Sequence, residues 1–97
     1  MRYEVILAPE AVEDLRKLRA NERATVNDAL ERYLRHEPEK VSKSRIKALK
    51  GLRRPKYRLR VDDIRVFYDV TPSRVDVLAI MPKAKIVAWL EKKGEKI

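Results

Sequence analysis

Two alternating segments, separated by a pair of aspartates, constrain this chain more than anything else in it. Lys56-Tyr57-Arg58-Leu59-Arg60-Val61 sets a cation at every second position, with apolar or aromatic residues between. After Asp62-Asp63 comes Ile64-Arg65-Val66-Phe67-Tyr68-Asp69-Val70. A period of two marks a half-buried strand, so the segments read as a β-hairpin turning at the aspartates. In that register Val61 faces Ile64, Leu59 faces Val66 and Tyr57 faces Tyr68, all on one side of the sheet. The other side pairs Arg60 with Arg65, Arg58 with Phe67 and Lys56 with Asp69. A slip by one residue would mix the two sides, so one register is strongly specified.

The rest of the chain supplies layers for that hairpin. Tyr3 to Leu7 reads as a short strand. Pro9 suits the first position of a helix, with Glu10, Glu13 and Asp14 at its positive end and Arg16, Lys17 and Arg19 at its negative end. Val12, Leu15 and Leu18 make its apolar stripe. Asn21 is the expected cap of a second helix, in which Val26, Ala29, Leu30, Tyr33 and Leu34 recur at helical spacing and which Pro38 closes. Glu39 to Pro55 reads as a basic connector anchored by Ile46, Leu49 and Leu52. Thr71-Pro72-Ser73 is a turn. Val75 to Met81 is the most apolar strand and is expected at the centre of the sheet. Ile86 to Lys93 closes the chain as a short helix, with Gly94 past its end. The expected architecture is α+β, one domain over residues 1–97. Two N-terminal helices pack on a three- to four-stranded antiparallel sheet, with a short C-terminal helix.

Charge then separates the two sides of the hairpin by function. The net charge is +9 in 97 residues. Eleven Lys and Arg lie between Lys40 and Arg65 against two acids, which accounts for all of that excess. A field of one sign focused on one segment points to a polyanion. Arg60 opposite Arg65 repels, so the pair is either screened by Asp69, the turn acids or a connector carboxylate, or it awaits an anion. Guanidinium forks bind phosphate bidentately. Phe67 among these cations either offers a base a stacking surface or lies under a loop or terminal segment. There is no cysteine, and His36 is the sole histidine, which excludes thiol chemistry and a Cys/His zinc site. No run approaches the ~20 apolar residues of a membrane span. A cytoplasmic protein is the expectation.

With the order β-α-α-β-β-β, the run from Leu49-Lys50-Gly51 through Tyr57 to Val70, and Val75-Asp76-Val77-Leu78-Ala79-Ile80-Met81, the chain resembles RelE/ParE-superfamily toxins of toxin–antitoxin modules. The RelE branch is favoured. That resemblance implies an endoribonuclease that cuts messenger RNA, typically on the ribosome, without metal or other cofactor, by attack of the substrate's own 2′-hydroxyl. By position it implies Lys56, Arg58, Arg60, Arg65 and Lys83 as catalytic residues. Lys47, Lys50, Phe67, Lys85 and Trp89 are the candidate RNA contacts. Arg58 stands where lysine is common, Lys83 where arginine is common, and Trp89 where tyrosine is common; Trp89 is either a stacking group or a core aromatic of the last helix. The implied partner is a cognate antitoxin that forms a hetero-oligomer and covers the basic face. The same resemblance allows a ParE-like toxin that blocks DNA gyrase without catalysis, and the basic face allows a plain nucleic-acid-binding module.

Overall fold

A computed structural model describes residues 2–96. In chain order the elements are β1 (Glu4–Leu7), α1 (Pro9–Arg16), α2 (Ala20–Ala29), β2 (Ile46–Ala48), β3 (Leu52–Arg54), β4 (Tyr57–Val61), β5 (Ile64–Val70), β6 (Arg74–Pro82), α3 (Ile86–Lys93) and β7 (Glu95–Lys96). Pro9 opens α1, with Glu10 in the first turn and Arg16 in the last, which opposes the helix dipole at both ends. The cap of α2 is Arg19 rather than Asn21. The Glu22 carboxylate accepts the Arg19 N–H at 3.1 Å, and that reach-back starts the helix two residues earlier than the Asn21 side chain would. Beyond Ala29 the helix widens into a π-type stretch, Leu30–Leu34. Leu30 and Leu34 stay in the core through it.

The main sheet has five strands in the order β1-β6-β5-β4-β2. The hairpin register is the expected one: Tyr57 opposite Tyr68, Leu59 opposite Val66, Val61 opposite Ile64, and Arg60 opposite Arg65. Asp62 holds φ at +54°, a left-handed conformation that Asp tolerates better than most residues. Three features depart from expectation. The supposed connector contributes an edge strand, β2, and a further strand, β3, which pairs with β7 in a separate two-stranded ribbon. β1 runs parallel to β6, so the sheet is mostly rather than wholly antiparallel. And β6 is interior but not central; β5 takes the middle place. Strands of two or three residues carry no readable period, which is why the connector concealed them.

One irregularity decides what each side of β6 faces. The pairing of β5 with β6 shifts between Phe67 and Tyr68, leaving Leu78 as an extra residue. Before the bulge Val75 and Val77 join the core under α1 and α2; after it Ile80 does, while Ala79 and Met81 turn to the other side with Phe67. β1 stops opposite Val77, and the Asp14 carboxylate of α1 then accepts the Ile80 N–H at 3.0 Å. The helix-side core holds Ala11, Val26, Leu34, Leu59, Val66, Tyr68 and Val75, each fully or almost fully buried. Burying such side chains contributes about 1.5–3 kcal/mol apiece. Tyr57 and Tyr68 stack at 5.6 Å, and the Tyr68 hydroxyl donates to the Pro38 carbonyl at 2.6 Å, which ties the connector to the core.

The C-terminal helix closes the opposite side. Ile86, Trp89 and Leu90 of α3 pack on Phe67, Ala79 and Met81. Gly94 ends the helix because of space rather than handedness: a Cβ there would lie 2.6 Å from the Leu90 carbonyl oxygen.

Candidate nucleic-acid interface

Strand pairing lays the cations of the hairpin out in rows on the side away from α1 and α2. Lys47 of β2 lies opposite Arg58 of β4, which lies opposite Phe67 of β5. The next row is Arg60, Arg65 and Met81. Lys56 is exposed at the entry to β4, and Lys83 is brought to the hairpin turn by its N–H, which donates to the Asp63 carbonyl at 2.9 Å. Lys47, Lys50 and Lys85 are exposed. His36 is exposed near the end of the α2 segment, off the basic rows.

Arg58 is the electrostatic centre of this face. It is half-buried, and its Nε is buried with no hydrogen-bond partner. Burial, and then the charges of Arg65 and Arg60, hold its guanidinium below the usual arginine range. None of the acids expected to screen the arginines does so. Asp69 accepts from Arg54 Nε at 2.8 Å and from the Lys56 N–H at 2.7 Å. Among the described residues no carboxylate lies within 4.0 Å of Arg58, Arg60 or Arg65. Three guanidinium groups thus share one strand pair with no carboxylate counter-ion among the described residues.

Two of the expected roles change. Arg65 is not an exposed neighbour of Arg60: it is only 6% exposed, and its Nη1 donates to the carbonyls of Asp62 at 2.7 Å and Ile64 at 3.2 Å. A buried guanidinium is tolerated where backbone carbonyls satisfy its donors, and these carbonyls belong to the tight turn. Phe67 is 1% exposed, with Trp89 stacked on it at 5.2 Å and 26°. Its ring offers no face to a base, while Trp89 packs one face on Phe67 and is itself half-buried, bordering open space beside α3. The two hairpin tyrosines lie on the helix side. Burial pushes both phenols up, Tyr68 far up, with the Glu39 carboxylate adding to the effect at Tyr57. Neither can serve as a base on the arginine face.

One pair escaped the sequence reading. Arg45, on the connector, lies over the ring of Tyr33 with its guanidinium carbon 5.0 Å from the centroid. Tyr33 reads as one member of a helical stripe and Arg45 as one of many connector cations, so no local pattern joins them.

Among the described residues no group of three or more His, Asp or Glu is placed to hold a metal ion. No helix among them is long and apolar enough to cross a membrane.

The ParE toxin of the type II toxin–antitoxin system parDE has a family model that matches residues 5–87. No curated protein matches the chain. Solved structures do. In the RelBE2 toxin–antitoxin complex from Mycobacterium tuberculosis, a chain with 24% identity superimposes with a TM-score of 0.68, over 84% of this chain and 99% of that one. In the archaeal RelE–RelB complex from Pyrococcus horikoshii the identity is 26% and the TM-score 0.65, over 88% and 99%. A mutant of the Escherichia coli toxin RelE in the free state gives 18% and 0.57, over 96% and 98%. The sequence match spans the helix pair, the arginine hairpin and β6, and the fold is that of these toxins; the chain belongs to the RelE/ParE family of toxins of type II toxin–antitoxin modules.

Proposed function

We propose that this toxin is an endoribonuclease that acts on messenger RNA, in the RelE manner, and so inhibits translation in the cytoplasm. The observation that carries the reading is the unpartnered Arg58 Nε, one row from the Arg60–Arg65 pair, with no carboxylate of the described residues in reach. Such a site is uncomfortable when empty and relieved by phosphate. The face is open rather than a closed pocket, which suits a polymer. In the proposed reaction the substrate's 2′-oxygen forms a bond to the adjacent phosphorus as the bond to the 5′-oxygen breaks. A cyclic phosphate and a free 5′-hydroxyl result. The exposed Lys56 assists loss of the 2′-proton, since a guanidinium is too weak an acid to give up its own proton and act as a base. Arg58 and Arg60 stabilise the charge that builds on the phosphorane oxygens, and Lys83 at the turn assists the leaving oxygen. Arg65 acts through the turn it holds. Neither a metal nor another cofactor is required by these steps.

A cognate antitoxin is the natural partner, since the RelBE2 and RelE–RelB neighbours are toxin–antitoxin complexes. The ribosome is the expected setting for cleavage. One observation favours the gyrase-binding alternative: the family model that matches is ParE. The missing phenol on the arginine face agrees with it. Mapping RNA 5′ ends after induction separates the two. Cuts at codon positions on translated messages support the nuclease. Intact messages with inhibited supercoiling by purified gyrase would overturn it in favour of the alternative.

A further inference from the structure

Around the edge of the sheet from the arginines lies a basic cavity. The stacked pair of Tyr33 and Arg45 forms part of its wall, together with Glu37, Lys40 and Ser42, and it encloses about 250 Å³. We infer that this cavity is a nucleobase subsite that takes a guanine flanking the phosphate held on the arginine face. The inference rests on the RNA-directed reading above.

Size, stacking chemistry and hydrogen-bonding groups agree on that occupant. The volume falls just short of the roughly 300 Å³ at which pockets for drug-sized ligands begin, and so matches a single base. Single-stranded RNA is recognised by splaying bases onto aromatic rings or guanidinium planes and reading their edges. Phe67 is buried beneath Trp89, whereas Tyr33 and Arg45 border open space. Ser42 Oγ accepts the N–H groups of Arg45 at 3.1 Å and Ile46 at 3.3 Å, so its own proton is free to donate outward. Glu37, paired only loosely with Lys40 at 3.7 Å, supplies a carboxylate acceptor. A wall that offers a carboxylate acceptor together with a hydroxyl and an ammonium complements guanine, which sets two neighbouring N–H donors beside a carbonyl oxygen. Adenine and the pyrimidines lack that combination.

The cavity is also tied to the arginine face. The Arg60 N–H donates to the Arg45 carbonyl at 2.8 Å, and Arg45 Nη1 donates to the Arg60 carbonyl at 3.3 Å. Because β2 is the edge strand, a chain that crosses Arg58 and Arg60 rounds that edge beside Lys47 and arrives at Arg45.

The test uses fluorescein-labelled heptamers of uridine whose central residue is guanosine, inosine, adenosine or uridine, titrated into the toxin. Guanosine should bind about tenfold tighter than adenosine, with inosine, which lacks the amino group, between them. Glu37→Gln, an exposed change, should abolish that preference while the affinity for the all-uridine heptamer and the melting temperature stay as they were. Equal affinity for all four heptamers, or a preference that survives in a folded Glu37→Gln variant, overturns the guanine subsite and leaves the nuclease reading standing. Failure to bind any heptamer in a salt-sensitive way overturns that reading, and the subsite with it.

Discussion

The two sides of the β4–β5 hairpin are built from the same alternating strands, yet they meet opposite fates. On one side Tyr57, Leu59, Val61, Ile64, Val66 and Tyr68 lie under α1 and α2 in a continuous apolar layer. On the other, α3 covers only Phe67, Ala79 and Met81, so Arg58 is left half-covered and Arg60 exposed. The difference lies in the lid, not in the strands. A long helical layer turns one face into a core; a two-turn helix leaves the other divided between a small apolar cluster and a bare field of charge. Arg65 shows that even on the charged side the sign of a residue does not fix its role. It is more deeply buried than Tyr57 and is held by carbonyls.

The largest effect should come from the closed face. Leu59 is 0% exposed beneath the helices. Leu59→Ala is expected to destabilise by about 2–5 kcal/mol, read as a lowered urea midpoint with little change in slope. A loss under about 1 kcal/mol would mean that the helix layer collapses onto the gap, and would weaken the contrast between the faces.

Next comes the test of Arg65 against its neighbour. Arg65→Ala removes the donor to two turn carbonyls and should cost about 1–3 kcal/mol in chemical denaturation. Arg60→Ala, on an exposed position facing another guanidinium, should leave stability equal or raise it by up to about 1 kcal/mol. If the two variants melt alike, Arg65 is not a turn-holding residue and belongs with the phosphate ligands. Arg60→Ala should also lower RNA affinity and reduce the slope of log affinity against log salt by about 0.7, one phosphate contact's worth. An unchanged slope would remove Arg60 from the interface.

The smallest expected effect concerns acid. The Arg35 guanidinium beside Glu31, 2.6 Å away, holds that carboxyl below its ordinary value. A depressed folded-state value means stability that is present above about pH 4.5 and lost as pH falls through the lowered value. Glu31 is exposed and Arg35 partly so, so solvent screens the pair and the effect is slight. Glu31→Gln should flatten the acid limb of melting temperature against pH and leave the neutral value nearly unchanged. A neutral-pH loss as large as that of Arg65→Ala would show the pair to be structural.

Much of this architecture is legible in the residues. Asp62-Asp63 and the flanking alternation specify the hairpin pair by pair, because a slip would bury arginines. The bounds of α3 follow from Pro82 and Gly94. What could not be read is whatever depends on distant partners. The parallel joining of β1 to β6 has no local signal, and the phase change at Leu78 needs β5 opposite to be visible. At the site, the strand positions of Arg58 and Arg60 are readable, with Lys56 just before them. Which arginine would be free and which bound was not, because the Arg65 donors end on carbonyls whose direction only the folded turn defines. The covering of Phe67 by Trp89 likewise depends on α3 folding back across the sheet.

The parallel pairing of β1 with β6 has a consequence for synthesis. Glu4 pairs with Arg74, so β1 finds its neighbour only after the helix pair and the hairpin between them have left the ribosome. Until then α1 and α2 have no complete sheet to cover, and their apolar stripe is exposed to solvent or chaperones. A nascent chain that halts before β6 lacks the strand that joins β1 to the hairpin. The order of translation therefore delays assembly of the layered fold until β6 has been made.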